Sequence, residues 1–206
     1  MKILNLYAGI GGNRKLWGED HEITAIENNI EIAETYAKYF PNDHVIITDA
    51  HKYLIENYDQ FDFIWSSPPC PTHSDIRRCG VHAGQYEAKY PEMDLYQEII
   101  LLRNFAPEDT KWVIENVIPY YEPLIKPDKK LHRHFYWSNF IITNCYVNDN
   151  RIHNDISGEN KLYGFNLENT NITDKRKSLR NMVNPDLGLH ILKCAEDKVM
   201  TLEAFL

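Results

Sequence analysis

The sequence predicts an α/β protein with a parallel sheet covered by helices on both faces. Two observations carry this. Short apolar runs alternate with amphipathic stretches through the first two thirds of the 206 residues, and strands repeated in this way bury themselves only between two helix layers. Several of those runs also end in glycines or carboxylates, and open α/β sheets hold ligands at the carboxyl ends of their strands.

Lys2–Tyr7 is a short apolar run ending in glycines, and Glu22–Ile26 is a second strand. Ile30–Phe40 reads as a helix, because Ile32, Ala33, Tyr36, Ala37 and Phe40 share one face. His44–Thr48 is a third strand and Ala50–Tyr58 a short helix. Phe61–Ser66 and Lys111–Glu115 are further strands. Between them Met93–Phe105 is an amphipathic helix with Pro91 as its start signal. After Pro119 the pattern changes to two β segments, His132–Phe140 and Ile141–Val147. Asn148–Asn184 is polar, Asn-rich and weakly periodic. It reads as an insertion before a last helix, Pro185–Ala195, whose Leu187, Ile191, Leu192 and Ala195 form one apolar stripe. No linker separates two independent domains.

Composition narrows the class. Hydrophobic content of 43% and charged content of 25% are ordinary for a globular protein. No apolar run approaches the roughly 18 residues of a membrane span, and the opening MKILNLYAG has no signal-peptide architecture. No membrane association is expected. Cys70, Cys79, Cys145 and Cys194 lie far apart without a CxxC pair, which disfavours a disulfide framework or a metal site. A reducing cytoplasm fits, and it leaves room for one working thiolate. The net charge of −8 argues against tight nonspecific binding to a polyanion. Basic residues nonetheless cluster at Arg77–Arg78, Lys126 to Arg133, and Lys175 to Arg180.

Five positions carry chemistry. Tyr7-Ala8-Gly9-Ile10-Gly11-Gly12 follows the first strand, where glycines allow a tight turn and close approach of backbone to ligand; the plain alternative is a βα connection. Glu27, with Asn28 beside it, ends the second strand and can accept from both ribose hydroxyls of an adenosine group, or simply cap a helix. Asp49, followed by Ala50, ends the third and can accept from an adenine amino group, or act as an N-cap. Together these successive strand ends argue for an adenosyl cofactor, and the absence of GxxxxGK[ST] disfavours a P-loop ATPase. Pro68-Pro69-Cys70 follows the fourth strand, and two prolines hold what comes next in a rigid exposed turn. Amino-group methyltransferases place an aromatic after a similar Pro-Pro. A thiol there instead permits covalent attack on a ring carbon. Glu115-Asn116-Val117 ends the fifth strand, where a carboxylate can sit beside that thiol.

The set Tyr7–Gly12, Glu27, Asp49, Pro68-Pro69-Cys70 and Glu115-Asn116-Val117 resembles the DNA cytosine-5 methyltransferase family, in order and spacing, over about the first two thirds of the chain. His132-Arg133-His134 resembles its basic strand, and Arg180-Asn181-Met182-Val183-Asn184-Pro185 its last motif. The short length is most similar to small phage-encoded members. The resemblance implies a Rossmann-like class I S-adenosylmethionine-dependent methyltransferase sheet with a reduced C-terminal target-recognition region. It divides the chain into a catalytic cofactor-binding domain at 1–144, a small target-recognition region at 145–180, and a segment at 181–206 returning to the core. S-adenosylmethionine is the implied cofactor, held also by Pro68, Asn181 and Val183. Double-stranded DNA is the implied partner, in the cytoplasm of a bacterium or a phage-infected host, and a homodimer is compatible with it.

The resemblance further implies that Cys70 attacks carbon 6 of a flipped-out cytosine, that Glu115 bonds N3 and the amino group, and that a basic residue holds O2. Departures bear on the last role. Pro71 stands where the family has Gln, His73 where it has Phe, and one of two usual arginines is missing. In one register His134 takes the base-contacting place, in another Arg133; Arg133 is preferred. Ser74, Arg77, Arg78, Asn116, Lys175 and Arg176 are the expected nucleic-acid contacts, with Pro71–Tyr90 a mobile lid. Two other readings stay open: a tRNA cytosine-5 methyltransferase, and a non-catalytic regulatory homologue.

Overall fold

In the computed structural model, residues 1–147 and 161–196 are described. Seven strands form one sheet in the order β3-β2-β1-β4-β5-β7-β6. They are β1 (Lys2–Leu6), β2 (Glu22–Ile26), β3 (His44–Ile46), β4 (Phe63–Ser66), β5 (Lys111–Val117), β6 (Lys129–Leu131) and β7 (His134–Ser138). The first five pair in parallel, and β7 runs antiparallel to both β5 and β6. The chain order reverses between β1 and β4, so the crevice outside their carboxyl ends is the expected ligand site of such a sheet.

Both faces of the central strands are covered, which is why they read as nearly continuous apolar runs. On one face Ile3, Phe63, Trp65 and Val113 meet Trp17 and the stripe Leu187, Ile191 and Leu192 of α6 (Pro185–Glu196). On the other, Leu4, Leu6, Ile64 and Ile114 meet Leu54 of α2 (Ala50–Asn57) and Leu95, Ile99 and Leu102 of α4 (Asp94–Phe105). A third cluster joins Tyr36 and Phe40 of the α1 region (Ile30–Tyr39) to Ala8 and Ile10.

Three expectations are corrected. Ile141–Val147 forms no strand. β7 already occupies the open side of β5 and β6 that of β7, and the segment instead buries Ile142 and Val147 against the α6 face. The edge strand β6 was not anticipated, since KKL has no apolar alternation; lysines are common on such edges. Pro71–Tyr90 is not an uninterrupted loop, because Asp75–His82 forms helix α3. Ser74 caps it by accepting from the Arg77 N–H. Gly80 masks the helix in the sequence, yet a Cβ there would lie 2.4 Å from the Tyr86 ring.

The Asn-rich stretch is more ordered than its composition suggests, as far as it is described; residues 148–160 lie outside the described residues. From 161 on it forms a hairpin, β8 (Lys161–Leu162) and β9 (Phe165–Asn166), then α5 (Lys175–Asn181). Leu162, Phe165, Leu167, Ile172, Leu179 and Met182 pack against Tyr36, Phe40, Ala8 and Ile10. The described part of 145–180 therefore walls the glycine loop instead of standing off as a lobe. Of the C-terminal segment, 197–206 lie outside the described residues.

Candidate active site

The glycine loop is fixed from below. Asn5, wholly buried in β1, exchanges two amide hydrogen bonds with Asn13, at 2.8 and 3.4 Å. The Ala8 N–H donates to the Ile26 carbonyl and the Gly11 N–H to the Ala8 carbonyl, so the loop folds back over β2. Gly9 and Gly11 have φ of 57° and 87°, a region L side chains avoid. Gly12 has another reason to be glycine. Its Cβ would lie 2.0 Å from Met182 Cγ and 2.4 Å from the Val183 carbonyl oxygen. The last sequence motif thus closes directly on the loop; within it Val183 is half-buried and Asn181 is exposed.

Glu27 is buried and aimed at the same loop. Its Oε2 accepts from the Gly9 N–H at 3.0 Å and its Oε1 from the Asn29 N–H at 2.9 Å. Asn28 is exposed at that strand end. Asp49 does act as an N-cap, accepting from the Lys52 N–H at 2.8 Å, and its side chain stays exposed at the cleft, with buried Ala50 behind it. These groups fit an adenosyl cofactor. A Cβ on Gly9 would meet nothing within 4 Å, which is an open cradle beside a buried carboxylate.

Cys70 is half-buried at the tip of the proline turn. Its carbonyl accepts from the His73 and Ser74 N–H groups, at 3.0 and 3.1 Å, closing the turn. Burial pushes the Cys70 thiol up to about 11; Glu115 adds to this, while the residue's own backbone and the charge of Lys177 oppose it. Glu115 is 7% exposed, and both its oxygens are engaged. Oε2 accepts from the Ser67 hydroxyl at 2.8 Å, itself held by Trp65 Nε1 at 2.8 Å. Oε1 lies 3.3 Å from His134 Nε2.

The register of the basic strand follows from β7, where His134 pairs with Val117 and Tyr136 with Glu115. His134, and not the preferred Arg133, therefore flanks Glu115; Arg133 sits exposed in the turn before β7. Asn116 is also placed differently from expectation. It is 2% exposed and donates to the Pro68 carbonyl at 2.9 Å, so it braces the nucleophile turn from inside and faces no polymer. Pro68 is likewise buried. His73 replaces an aromatic as a buried ring, bonded through Nδ1 to the Tyr121 hydroxyl at 2.5 Å.

Three basic segments border this edge. Arg77 and Arg78 of α3 stack on Tyr86 and Tyr120, at 5.1 and 5.4 Å from the ring centroids. Arg133 lies in the turn before β7, and Lys175, Arg176 and Lys177 lie on α5. Lys175 Nζ donates to the Glu168 carbonyl, and Arg176 is exposed. Sequence reasoning missed Lys177, Ser67 and Glu98. For Glu98 the signal existed: an acid at the centre of the α4 stripe Leu95, Ile99, Leu102. Among the described residues, no group of His, Cys, Asp and Glu could hold a metal ion, and no helix is long and apolar enough to cross a membrane.

The sequence profile of the C-5 cytosine-specific DNA methylases matches residues 1–119. The chain belongs to this family. S-adenosylmethionine is accordingly its cofactor, and the strand order above is that of a Rossmann-like methyltransferase sheet. A search among curated proteins returned no match. Similar solved structures include a SAM-dependent methyltransferase from Agrobacterium tumefaciens, 13% identical over 59% of this chain and 40% of its own, TM-score 0.41. DNMT2 from Spodoptera frugiperda is 24% identical over 56% and 35%, TM-score 0.38. A prophage protein of Escherichia coli described as a DNA modification methyltransferase is 20% identical over 59% and 33%, TM-score 0.37. The chain spans two fifths or less of the length of these three.

Proposed function

We propose that this methylase transfers a methyl group to carbon 5 of cytosine in double-stranded DNA, through a transient covalent bond between Cys70 and carbon 6. The observation that carries the reading is the pairing of Cys70 with Glu115 on adjacent strand ends, with the carboxylate oriented by Ser67 and His134. A cytosine inside a duplex is out of reach of this crevice, so it must be flipped out. The Cys70 thiol then gives up its proton to solvent and its sulfur bonds carbon 6 as the C5–C6 double bond opens; the charge is relieved by protonation of N3 from solvent, and Glu115 accepts from the resulting N3–H. That leaves carbon 5 nucleophilic. The cofactor supplies an electrophilic methyl group there as a sulfonium. Loss of the carbon-5 proton to solvent restores the ring double bond and expels Cys70 as thiolate, and N3 returns its proton. Tyr7–Gly12, Glu27, Asn28, Asp49, Ala50, Pro68, Asn181 and Val183 form the proposed cofactor site.

His134 replaces Arg133 in the proposed set as the group beside the base, because its ring nitrogen already holds Glu115. His134→Ala is expected to lower methyl transfer about ten- to hundredfold, the worth of one charge-assisted hydrogen bond. His134→Arg should retain most of it. Steady-state rates of the two variants check this; equal losses in both would remove His134 from the site.

Arg133, Ser74, Arg77, Arg78, Lys175 and Arg176 are the proposed phosphate contacts. The charges of the four arginines and Lys175 lie on three segments around one cleft, which lets an acidic protein present a local basic face. Arg77→Ala with Arg78→Ala should weaken DNA binding and flatten the slope of log K against log salt by about one per lost contact. An unchanged slope would remove them. The reading as a whole is tested by supplying methyl-labelled cofactor with duplex DNA in one arm and tRNA in another. Label on carbon 5 of DNA cytosine supports it; label only on tRNA moves the same chemistry to the other polymer.

A further inference from the structure

Glu98 of α4 has no exposure, and its carboxylate gathers three parts of the cleft. The Tyr7 hydroxyl donates to Oε1 at 2.7 Å. The Ser66 hydroxyl donates to Oε2 at 2.5 Å. His51 Nδ1 lies 3.2 Å from Oε1. Tyr7 opens the glycine loop, Ser66 ends β4 just before the nucleophile turn, and His51 follows Ala50 in α2. The other ring nitrogen of His51 faces Gln97 Oε1 at 3.1 Å. With oxygens facing both ring nitrogens, a protonated His51 donates to Glu98 and Gln97 at once, while a neutral ring donates to only one of them unless the Gln97 amide turns its nitrogen inward. The protonated ring is the cationic partner of a carboxylate whose other donors are neutral hydroxyls.

We propose that Glu98 and His51 are a charged positioning pair that sets the cofactor loop through Tyr7, so that the grip on the adenosyl group weakens as His51 loses its proton. This rests on loop 7–12 being the cofactor site. Tyr7 is a non-glycine residue at φ 54°, a conformation that persists only where its surroundings hold it. Its bond to Glu98 is such a hold. Without the imidazolium the buried carboxylate is left with no cationic partner, and only the Tyr7 and Ser66 hydroxyls hold it.

The charged groups around His51 are Glu98 and Asp94 across from it on α4, Asp49 at the start of α2, and Lys52 on the exposed side, itself 4.0 Å from Glu56. The hydrogen bond to Glu98 raises the His51 pKa above its ordinary value, against the opposing effect of burial, with Asp94 and Gln97 assisting. The imidazole edge is 16% exposed and can exchange its proton with solvent. A raised imidazole contributes fully below its ordinary pKa of about 6.5 and is lost as pH rises through the higher folded value.

The test is calorimetric titration of 5′-methylthioadenosine, which lacks the α-amino and carboxyl groups of the cofactor's amino-acid part. Wild type should lose affinity as pH rises through the raised His51 pKa, tenfold for about every unit by which binding raises it further. His51→Gln should bind with no such dependence. Tyr7→Phe should bind more weakly at every pH while His51, followed by NMR, titrates as in wild type. In Glu98→Gln the His51 pKa should fall. A flat wild-type profile, the same profile in His51→Gln, or an unmoved His51 resonance in Glu98→Gln overturns the proposal. The NMR arm decides the pair even if the nucleoside fails to bind. No nucleic acid enters the assay, so failure of the methylation reading leaves it untouched.

Discussion

Cys70→Ala is expected to abolish methyl transfer while leaving cofactor affinity nearly unchanged. Removing a nucleophile that forms the covalent bond costs several decades, up to about a millionfold in well-characterised enzymes. The side chain is small and half-buried at a turn whose geometry comes from Pro68, Pro69 and the Asn116 bond to the Pro68 carbonyl, so its truncation leaves the loop in place. The same site makes a second, graded statement about pH. With the thiol held up near 11 by burial and by Glu115, thiolate is scarce at neutral pH, and its fraction grows about tenfold per pH unit below the pKa. Iodoacetamide should therefore label Cys70 slowly near neutrality and faster as pH rises. Glu115→Gln removes the repelling charge and should speed labelling at a fixed pH. Label rate by mass spectrometry checks both signs; fast, pH-independent labelling would contradict this electrostatic account.

Gly12→Ala is the other change with a large expected effect, and it acts through backbone. Rotamer changes can move Met182 Cγ away from the new methyl group, but nothing short of a backbone shift moves the Val183 carbonyl oxygen, 2.4 Å from it. Overpacking of this kind costs about 1–3 kcal/mol, and in a domain of this size each kcal/mol is worth about 2–4 °C in Tm. The glycine loop and the Met182–Val183 strap must separate to accept it, so cofactor affinity should fall more than tenfold. Gly9→Ala is the control. Its φ of 57° is strained for alanine, but no protein atom lies within 4 Å of the methyl group, so stability should drop by only about 1–2 kcal/mol. Its methyl group enters the cradle, so cofactor affinity should suffer out of proportion to stability. A Gly12→Ala protein with wild-type Tm and wild-type affinity would show that the C-terminal segment does not close on the loop.

Much of this site can be seen in the chain alone because its chemistry sits where strands end. The strands are local apolar runs, and the glycines, Glu27, Asp49 and Cys70 follow one within a few residues, while Glu115 lies near the end of another. What escaped notice depends on pairing across the chain. The choice between Arg133 and His134 turns on the register of β7 against β5, which one residue's slip reverses. Asn116 looks like a loop contact until the fold brings it under Pro68, 48 residues earlier. α3 is hidden by Gly80, whose reason is Tyr86. The order in 161–182 comes from apolar residues too sparse to show a period, such as Phe165 and Leu179, which become a core only against Tyr36 and Phe40.

The most direct measurement is a covalent trap. Duplex DNA carrying 5-fluorocytosine has no carbon-5 proton to lose after methylation, so the sulfur–carbon bond formed by Cys70 cannot be released. Incubated with S-adenosylmethionine, the wild-type methylase should yield a protein–DNA adduct stable to denaturation, with the modified peptide mapping to Cys70, and Cys70→Ala should yield none. An active enzyme that leaves this DNA untrapped, or an adduct at Cys79, Cys145 or Cys194, would contradict the account.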